Sequence, residues 1–382
     1  MRYIHEFPQD VNLTYLNHAG VSPWPLRTAR AVEAFAEENV TRGSLHYARW
    51  LDVESRLRSQ LRSLIHASSD DDIALLKNTS EALSAVAYGI QWNHGDNVVS
   101  SAEEFPSNRV VWQSLAHKGV EFREASLSGG VNPEDALISL VDSRTRLITV
   151  SSVQFATGLR MDLAHLGEFC RRNGVLFCVD AIQSIGAVSF DVEEIEADFV
   201  MADGHKWMLG PEGLALFYCR PAARDMLSLT QYGWHMVEKA GDYEAREWDI
   251  AKTARRFECG SPNMLGIHAL SASLSLLLEI GMDEVENKVK SLSNYLVERI
   301  LSEPGLDLVT PSDPARRAGI VTFRMRDGDS QGLYRFLGMN GVVCAFRAGG
   351  IRFSPHFYNS QEQLDRALEL VLRYLHARPA SP

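Results

Sequence analysis

The sequence predicts an α/β protein, with a large, mostly parallel sheet covered by helices and a smaller C-terminal α+β unit. Three observations carry this expectation. Strand-like and helix-like segments alternate through the first two-thirds of the chain, which implies a parallel sheet with helices on both faces. The pattern changes after about residue 282. The 382 residues, 45% of them hydrophobic, can bury a core large enough for two domains, and no long Pro/Gly/Ser linker separates them.

In order, IALLKN precedes a helix at SEALSAVAYG, NVVSS precedes NRVVWQSLAHKG, and RLITVSS precedes DLAHLGEFCRRNG. VLFCVDA is followed by DFVMADG and GLALFYC. The stretch MLGIHALSASLSLLLEIGM, from Met264 to Met282, approaches the roughly 20 residues of a membrane span. Its His268, Glu279 and serines favour a buried or linking helix instead. Beyond it come an amphipathic helix at DEVENKVKSLSNYLVERILS, short strands at LDLVTP, GIVTFRM and VVCAFR, and a final helix at EQLDRALELVLRYLHA.

Composition excludes several functions. A net charge of −11 without any block of like charge argues against nucleic acid and against an anionic membrane surface. MRYIHEFPQD has neither the apolar core nor the cleavage site of a signal peptide, so the expected compartment is the cytoplasm. Five cysteines, scattered without C-x-x-C spacing, suit buried thiols better than disulfides or a metal site, and no metal is expected.

Ligands of open α/β sheets sit at the carboxyl ends of the strands. In DFVMADGHKWMLGPEG, Lys206 follows a buried strand, where an unpaired ammonium would cost several kcal/mol. Reading the other strand ends adds Thr79 and Ser80, Phe105, Asp180 and Gln183. Helix-start hydroxyls for a phosphate, a ring for stacking, a buried carboxylate and a lysine are the parts that hold pyridoxal phosphate.

The chain resembles the class V aminotransferase-fold enzymes of the cysteine desulfurase, kynureninase and isopenicillin-N epimerase group. The resemblance rests on YLNHAGVSP, NTSEAL, EEFPSN, VDAIQSIG, DFVMADGHKWMLGPEG, FECGSPN and IRFSPHFYNS, which together cover nearly the whole chain. It implies the pyridoxal phosphate fold type I, with a seven-stranded-type sheet. It also implies an N-terminal arm over residues 1–20 packing on the small domain, a large domain over 21–265, and a linking helix with the small domain over 266–382. In addition it implies a lysine forming a Schiff base, here Lys206, and 26 positions earlier Asp180 as partner of the pyridine nitrogen.

By the same resemblance Gln183 contacts the cofactor's phenolic oxygen and Phe105 stacks on its ring, where desulfurases usually carry histidine. Thr79, Ser80 and His205 face the phosphate, with simple N-capping as the rival reading for the first two. Asp203 stands where many relatives have serine, which puts a direct contact to phosphate in doubt. Ser261 resembles a hydroxyl that reaches the cofactor of a neighbouring subunit, implying a homodimer with shared active sites; a plain Gly-Ser-Pro turn fits equally. Arg352 resembles the arginine that grips a substrate α-carboxylate, its rival being a surface arginine of the small domain. Arg42 and His46 fall in a region lining the pocket mouth in relatives, and a solvated helix face explains them nearly as well.

The implied reaction begins with Schiff-base formation and Cα deprotonation of a small amino acid with a free α-carboxylate. In related desulfurases a catalytic cysteine rides on a loop before the carboxylate arginine; here Ala-Gly-Gly-Ile alone joins Arg347 to Arg352, and Cys344 sits in an apolar run. The expectation is therefore a lyase of the β- or C–S type, or an aminotransferase. An epimerase, a desulfurase and a cofactor-binding homologue without catalysis stay open as alternatives.

Overall fold

The computed structural model describes residues 3–128 and 130–376. Met1 and Arg2 of the expected arm, and Ala377 of the expected last helix, lie outside the described residues. The chain opens with a short strand, β1 (Thr14–Tyr15), and two long helices, α1 (Leu26–Arg42) and α2 (Tyr47–Leu64). The large sheet follows, from β2 (Ile73–Leu76), β3 (Asn97–Ser101), β4 (Glu121–Ala125), β5 (Thr145–Ser151), β6 (Leu176–Asp180), β7 (Phe199–Asp203) and β8 (Ala215–Cys219). Among these strands run α3 (Thr79–Gly89), α4 (Ser107–Gln113), α5 (Pro133–Ile138) and α6 (Leu163–Asn173), and α7 (Pro221–Arg224) closes the series.

The seven strands lie in the order β2-β8-β7-β6-β5-β3-β4. Only β8 runs antiparallel to its neighbours. Every residue of β2, β3, β6, β7 and β8 is buried. Because successive strand residues face opposite sides, the sheet divides two cores. Leu75, Val99, Val179, Val200 and Leu216 enter one core; Ala74, Val98, Cys178, Phe199 and Phe217 enter the other. The edge strand β4 reads Glu-Phe-Arg-Glu-Ala and is largely exposed. That polarity hides it from the apolar-run criterion, and neither it nor α1 and α2 is anticipated from the sequence.

The apolar stretch near residue 270 forms α8 (Met264–Ile280), which buries Ile267, Leu270, Leu274 and Leu277 completely. Among the described residues no single helix is long and apolar enough to cross a membrane. After Gly281 the chain bends by 84° into α9 (Met282–Leu301). The C-terminal unit then comprises β9 (Leu306–Leu308), β10 (Val321–Met325), α10 (Ser330–Met339), β11 (Val342–Val343), β12 (Ala345–Arg347), β13 (Gly350–Phe353) and α11 (Gln361–His376). Four of these strands form an antiparallel sheet in the order β12-β13-β10-β9. A third core gathers Leu292, Leu296, Phe323, Leu337, Phe353 and Leu364 around Leu16 from the start of the chain. The β1 strand pairs in parallel with β11. The run VVCAFR, expected as one strand, is split at Cys344 because β11 pairs with β1 and β12 with β13.

Candidate active site

The carboxyl ends of β6 and β7, the start of α3 and the β12–β13 hairpin surround a cavity of about 300 Å³. Asp180 and Lys206 both line it. Asp180 ends β6, is 2% exposed, and accepts a hydrogen bond from Ile182 N at 3.1 Å. The residues after it form a tight turn, with Ser184 N donating to Ala181 O at 2.9 Å. This turn needs Gly186. Its φ is +95°, and a Cβ there would lie 2.3 Å from Trp207 O.

Lys206 sits three residues beyond β7 on a half-buried turn, its Nζ 5.6 Å from the Phe105 ring centroid. Burial pushes the Asp180 carboxyl up and the Lys206 ammonium down, while the charge of each draws the other back toward its ionised form. Neither has an ion-pair partner at direct contact distance among the described residues. Gln183 is buried and clamped: its Nε2 donates to Ala19 O at 3.1 Å and its Oε1 accepts from Trp207 Nε1 at 2.9 Å.

At the other end of the cavity lies the N-terminus of α3. Its cap is Asn78, whose Oδ1 accepts from Glu81 N at 2.9 Å, so capping is not what occupies Thr79 or Ser80. Ser80 Oγ donates to Ser107 Oγ at 2.8 Å. Thr79 Oγ1 is buried with no hydrogen-bond partner among the described residues. His205 also lines the cavity, with Nδ1 2.9 Å from Asp203 Oδ1.

The third wall brings Arg352 from β13. It is 2% exposed, donates to Phe155 O at 2.6 Å and to Asn17 Oδ1 at 3.3 Å, and keeps Nε without a partner among the described residues. Burial first, and then the charge of Arg347, push its guanidinium down to about 9. A guanidinium stays protonated in proteins, so the depression marks a cation held without an anion. Phe105, 40% exposed, meets Phe155 edge to face at 5.2 Å.

Four residues singled out in the sequence stand apart. Ser261 is exposed and outside the cavity of its own chain. Arg42 and His46 are likewise outside the cavity of their own chain: both lie at the α1–α2 corner, and His46 Nδ1 is 2.9 Å from Glu38 Oε1. Cys344 is buried, absent from the cavity wall, and its thiol is pushed up to about 12 by burial. Elsewhere Glu54, His235 and Glu258 converge, but the guanidinium of Arg58 already lies 2.6 Å from each carboxylate.

Residues 14–367 match the family "Aminotransferase class-V". A probable cysteine desulfurase of Methanothermobacter thermautotrophicus is 32% identical over 92% of this chain and 92% of its own. The chain belongs to the class-V aminotransferases. Its fold is also that of a cysteine desulfurase from Thermococcus onnurineus NA1, with a TM-score of 0.87, 24% identity and coverage of 99% and 98% of the two chains. A cystine C–S lyase in complex with cysteine persulfide likewise superposes with a TM-score of 0.87, at 23% identity over 94% and 97% of the chains.

This class-V aminotransferase is therefore a pyridoxal phosphate-dependent enzyme, and its cavity suits that group. The unpartnered Thr79 Oγ1 stands at the positive end of α3, where a phosphate would be stabilised. A buried carboxylate and a half-buried lysine with no direct partner share the same space. Sequence reasoning overlooked Arg347 and Phe155 as parts of the wall and Asn17 as a partner of Arg352, because they arrive through the hairpin, the loop after β5 and the β1 connection.

Proposed function

We propose that this protein is a C–S lyase, acting by β-elimination on an amino acid with a free α-carboxylate and a sulfur substituent on Cβ, without a protein persulfide. The observation that carries this reading is the β12–β13 connection. It is a two-residue turn, Ala348-Gly349, with φ of 49° and 72°, and among the described residues no cysteine lines the cavity. Similarity to desulfurases supports chemistry at a carbon–sulfur bond, while the short turn argues against the desulfurase route.

When bound, pyridoxal phosphate supplies an electron sink that eases cleavage of a bond at the substrate Cα. Thr79, Ser80 and His205 would hold its phosphate end, Phe105 would cover its ring, Gln183 would serve its phenolic oxygen and Asp180 its pyridine nitrogen. Ser261 is the one candidate that serves the site of a second subunit. Arg352 fixes the α-carboxylate, so that one Cα bond is presented in a single orientation. Lys206 Nζ, its basic form favoured by burial, takes the Cα proton.

The test is a panel of sulfur amino acids with pyruvate, ammonia and sulfide measured. Pyruvate with a sulfur product, from wild type and Cys344→Ser alike, supports the lyase. A persulfide on the wild-type enzyme, lost with activity in Cys344→Ser, would restore the desulfurase reading. Amino transfer to a 2-oxo acid, or α-proton exchange without cleavage, would assign an aminotransferase or an epimerase.

A further inference from the structure

We propose that Glu104 is a positioning residue of this site, a buried anion behind the cavity wall that holds the segments carrying Phe105 and Phe155 and adds its charge to that of Asp180. The inference rests on the reading of Asp180 as the partner of the pyridine nitrogen. Glu104 precedes Phe105, is 3% exposed and is not part of the wall itself. Five hydrogen bonds reach its carboxyl. Oε1 accepts from Ser151 N at 2.8 Å, from Gln154 Nε2 at 3.0 Å and from Ser101 Oγ at 3.3 Å. Oε2 accepts from Asn108 Nδ2 at 3.1 Å and from Ser151 Oγ. The donors come from the end of β3, the start of α4, the end of β5 and the loop after it, so one carboxylate ties together the segments whose rings meet over the cavity.

The orientation of Asn108 is settled by its other partners. Its Oδ1 accepts from Trp112 Nε1 at 2.9 Å, a group that only donates, and from Thr149 Oγ1 at 2.7 Å, so Nδ2 must face an acceptor. Burial pushes the Glu104 carboxyl up, and the bonds from Ser151, Asn108 and Gln154 draw it back toward the ionised form. All five donors are neutral groups, so the charge is hydrogen-bonded but not cancelled. A buried anion of this kind gains from a cation close by, and a protonated pyridine nitrogen beside Asp180 would be one. Ser151, which gives both its N–H and its hydroxyl to Glu104, is the ladder partner of Asp180. Neighbouring strands lie about 4.8 Å apart, so the two carboxylates stand within roughly two strand spacings at the same end of the sheet. After burial and the Ile182 hydrogen bond, the charge of Glu104 is the next influence on Asp180, and it acts in the same direction as burial. Lys206, beyond β7, opposes it, and Asp203, at the end of β7, reinforces it. Two anions at this end favour a protonated ring nitrogen more than Asp180 alone does.

The test follows the Asp180 carboxyl in the apoprotein by NMR with carboxyl-labelled aspartate, the signal being the one lost in Asp180→Asn. Glu104→Gln, which keeps the shape and removes the charge, should lower the Asp180 midpoint by about half to one pH unit, whereas Glu104→Asp should keep most of the wild-type value. In holoenzyme carrying cofactor labelled at the ring nitrogen, Glu104→Gln should move that nitrogen toward its neutral form and lower kcat about tenfold with KM little changed. An Asp180 midpoint equal in wild type and Glu104→Gln overturns the proposal, and equal shifts in Glu104→Gln and Glu104→Asp overturn it by tracing the effect to packing. A measurement on wild type alone decides as well: a Glu104 carboxyl that still holds its proton at the pH where Asp180 titrates overturns the proposal. If Asp180→Asn leaves the ring nitrogen as in wild type, the reading of Asp180 falls, while the apoprotein titration still decides for or against the charge of Glu104.

Discussion

Trp207 Nε1 donates to Gln183 Oε1 at 2.9 Å, fastening the turn after Asp180 to the turn that carries Lys206. His356 holds the same tryptophan from the C-terminal unit. Its Nδ1 accepts from Phe357 N at 2.8 Å, so its Nε2 carries the proton donated to Trp207 O at 3.0 Å. Lys206 therefore hangs from a backbone fixed on several sides, and only its side chain needs to move.

Lys206 should be the residue that holds the cofactor covalently. Borohydride reduction followed by peptide mapping is expected to find the pyridoxyl group on the peptide containing Lys206, and none in Lys206→Ala. Turnover in that variant should fall at least about a hundredfold. A label on another lysine would refute the assignment.

Asp180 makes a prediction about the apoprotein. Burial raises its carboxyl, so the folded chain holds that proton more tightly than the unfolded chain does. Its contribution is then most favourable at low pH and is lost as pH rises from about 4 toward neutrality. The melting temperature of wild-type apoprotein should fall relative to that of Asp180→Asn across this window. Parallel curves would show that burial is not what governs Asp180. In the holoenzyme Asp180→Asn should lose most of its turnover while keeping some cofactor.

Thr79→Val should weaken cofactor binding about tenfold, because it removes a buried hydroxyl that has no partner among the described residues. Ser80→Ala should cost less, since Ser80 Oγ already donates to Ser107. Dialysis against graded cofactor measures both. Equal, small effects would mean that the phosphate lies elsewhere.

Arg352→Ala should raise KM for an amino-acid substrate by a factor of about ten to a hundred, the loss of a charge-assisted pair. Arg352→Lys should recover only part, because an ammonium lacks the two-pronged geometry. An unchanged KM would mean that the substrate has no carboxylate at this position.

The parts of the fold legible in the sequence were those whose burial is symmetric. β6 and β7 are apolar up to their last residues because both faces are covered, and the polar residues that follow, Asp180 at the end of β6 and Lys206 beyond β7, stand out for the same reason. The polar β4 carries no such contrast. Arg347 was legible in principle, since two arginines flanking a short turn fall on one hairpin face, but only once the register is known. Asn17 reaches Arg352 across 335 positions of sequence, and no local pattern encodes that meeting.

The helix α9 belongs to two cores at once. Val285 and Val289 pack with the large sheet, whereas Leu292, Leu296 and Ile300 pack with the C-terminal one. At Gly319 the two units touch so closely that a Cβ would lie 2.4 Å from Trp207 Cη2 and 2.9 Å from Val289 Cγ1. A shared beam of this kind couples their melting, so heating should show a single transition rather than one for each unit. It also means that a methyl group added at residue 319, outside the cavity, presses on the indole ring of the residue next to Lys206.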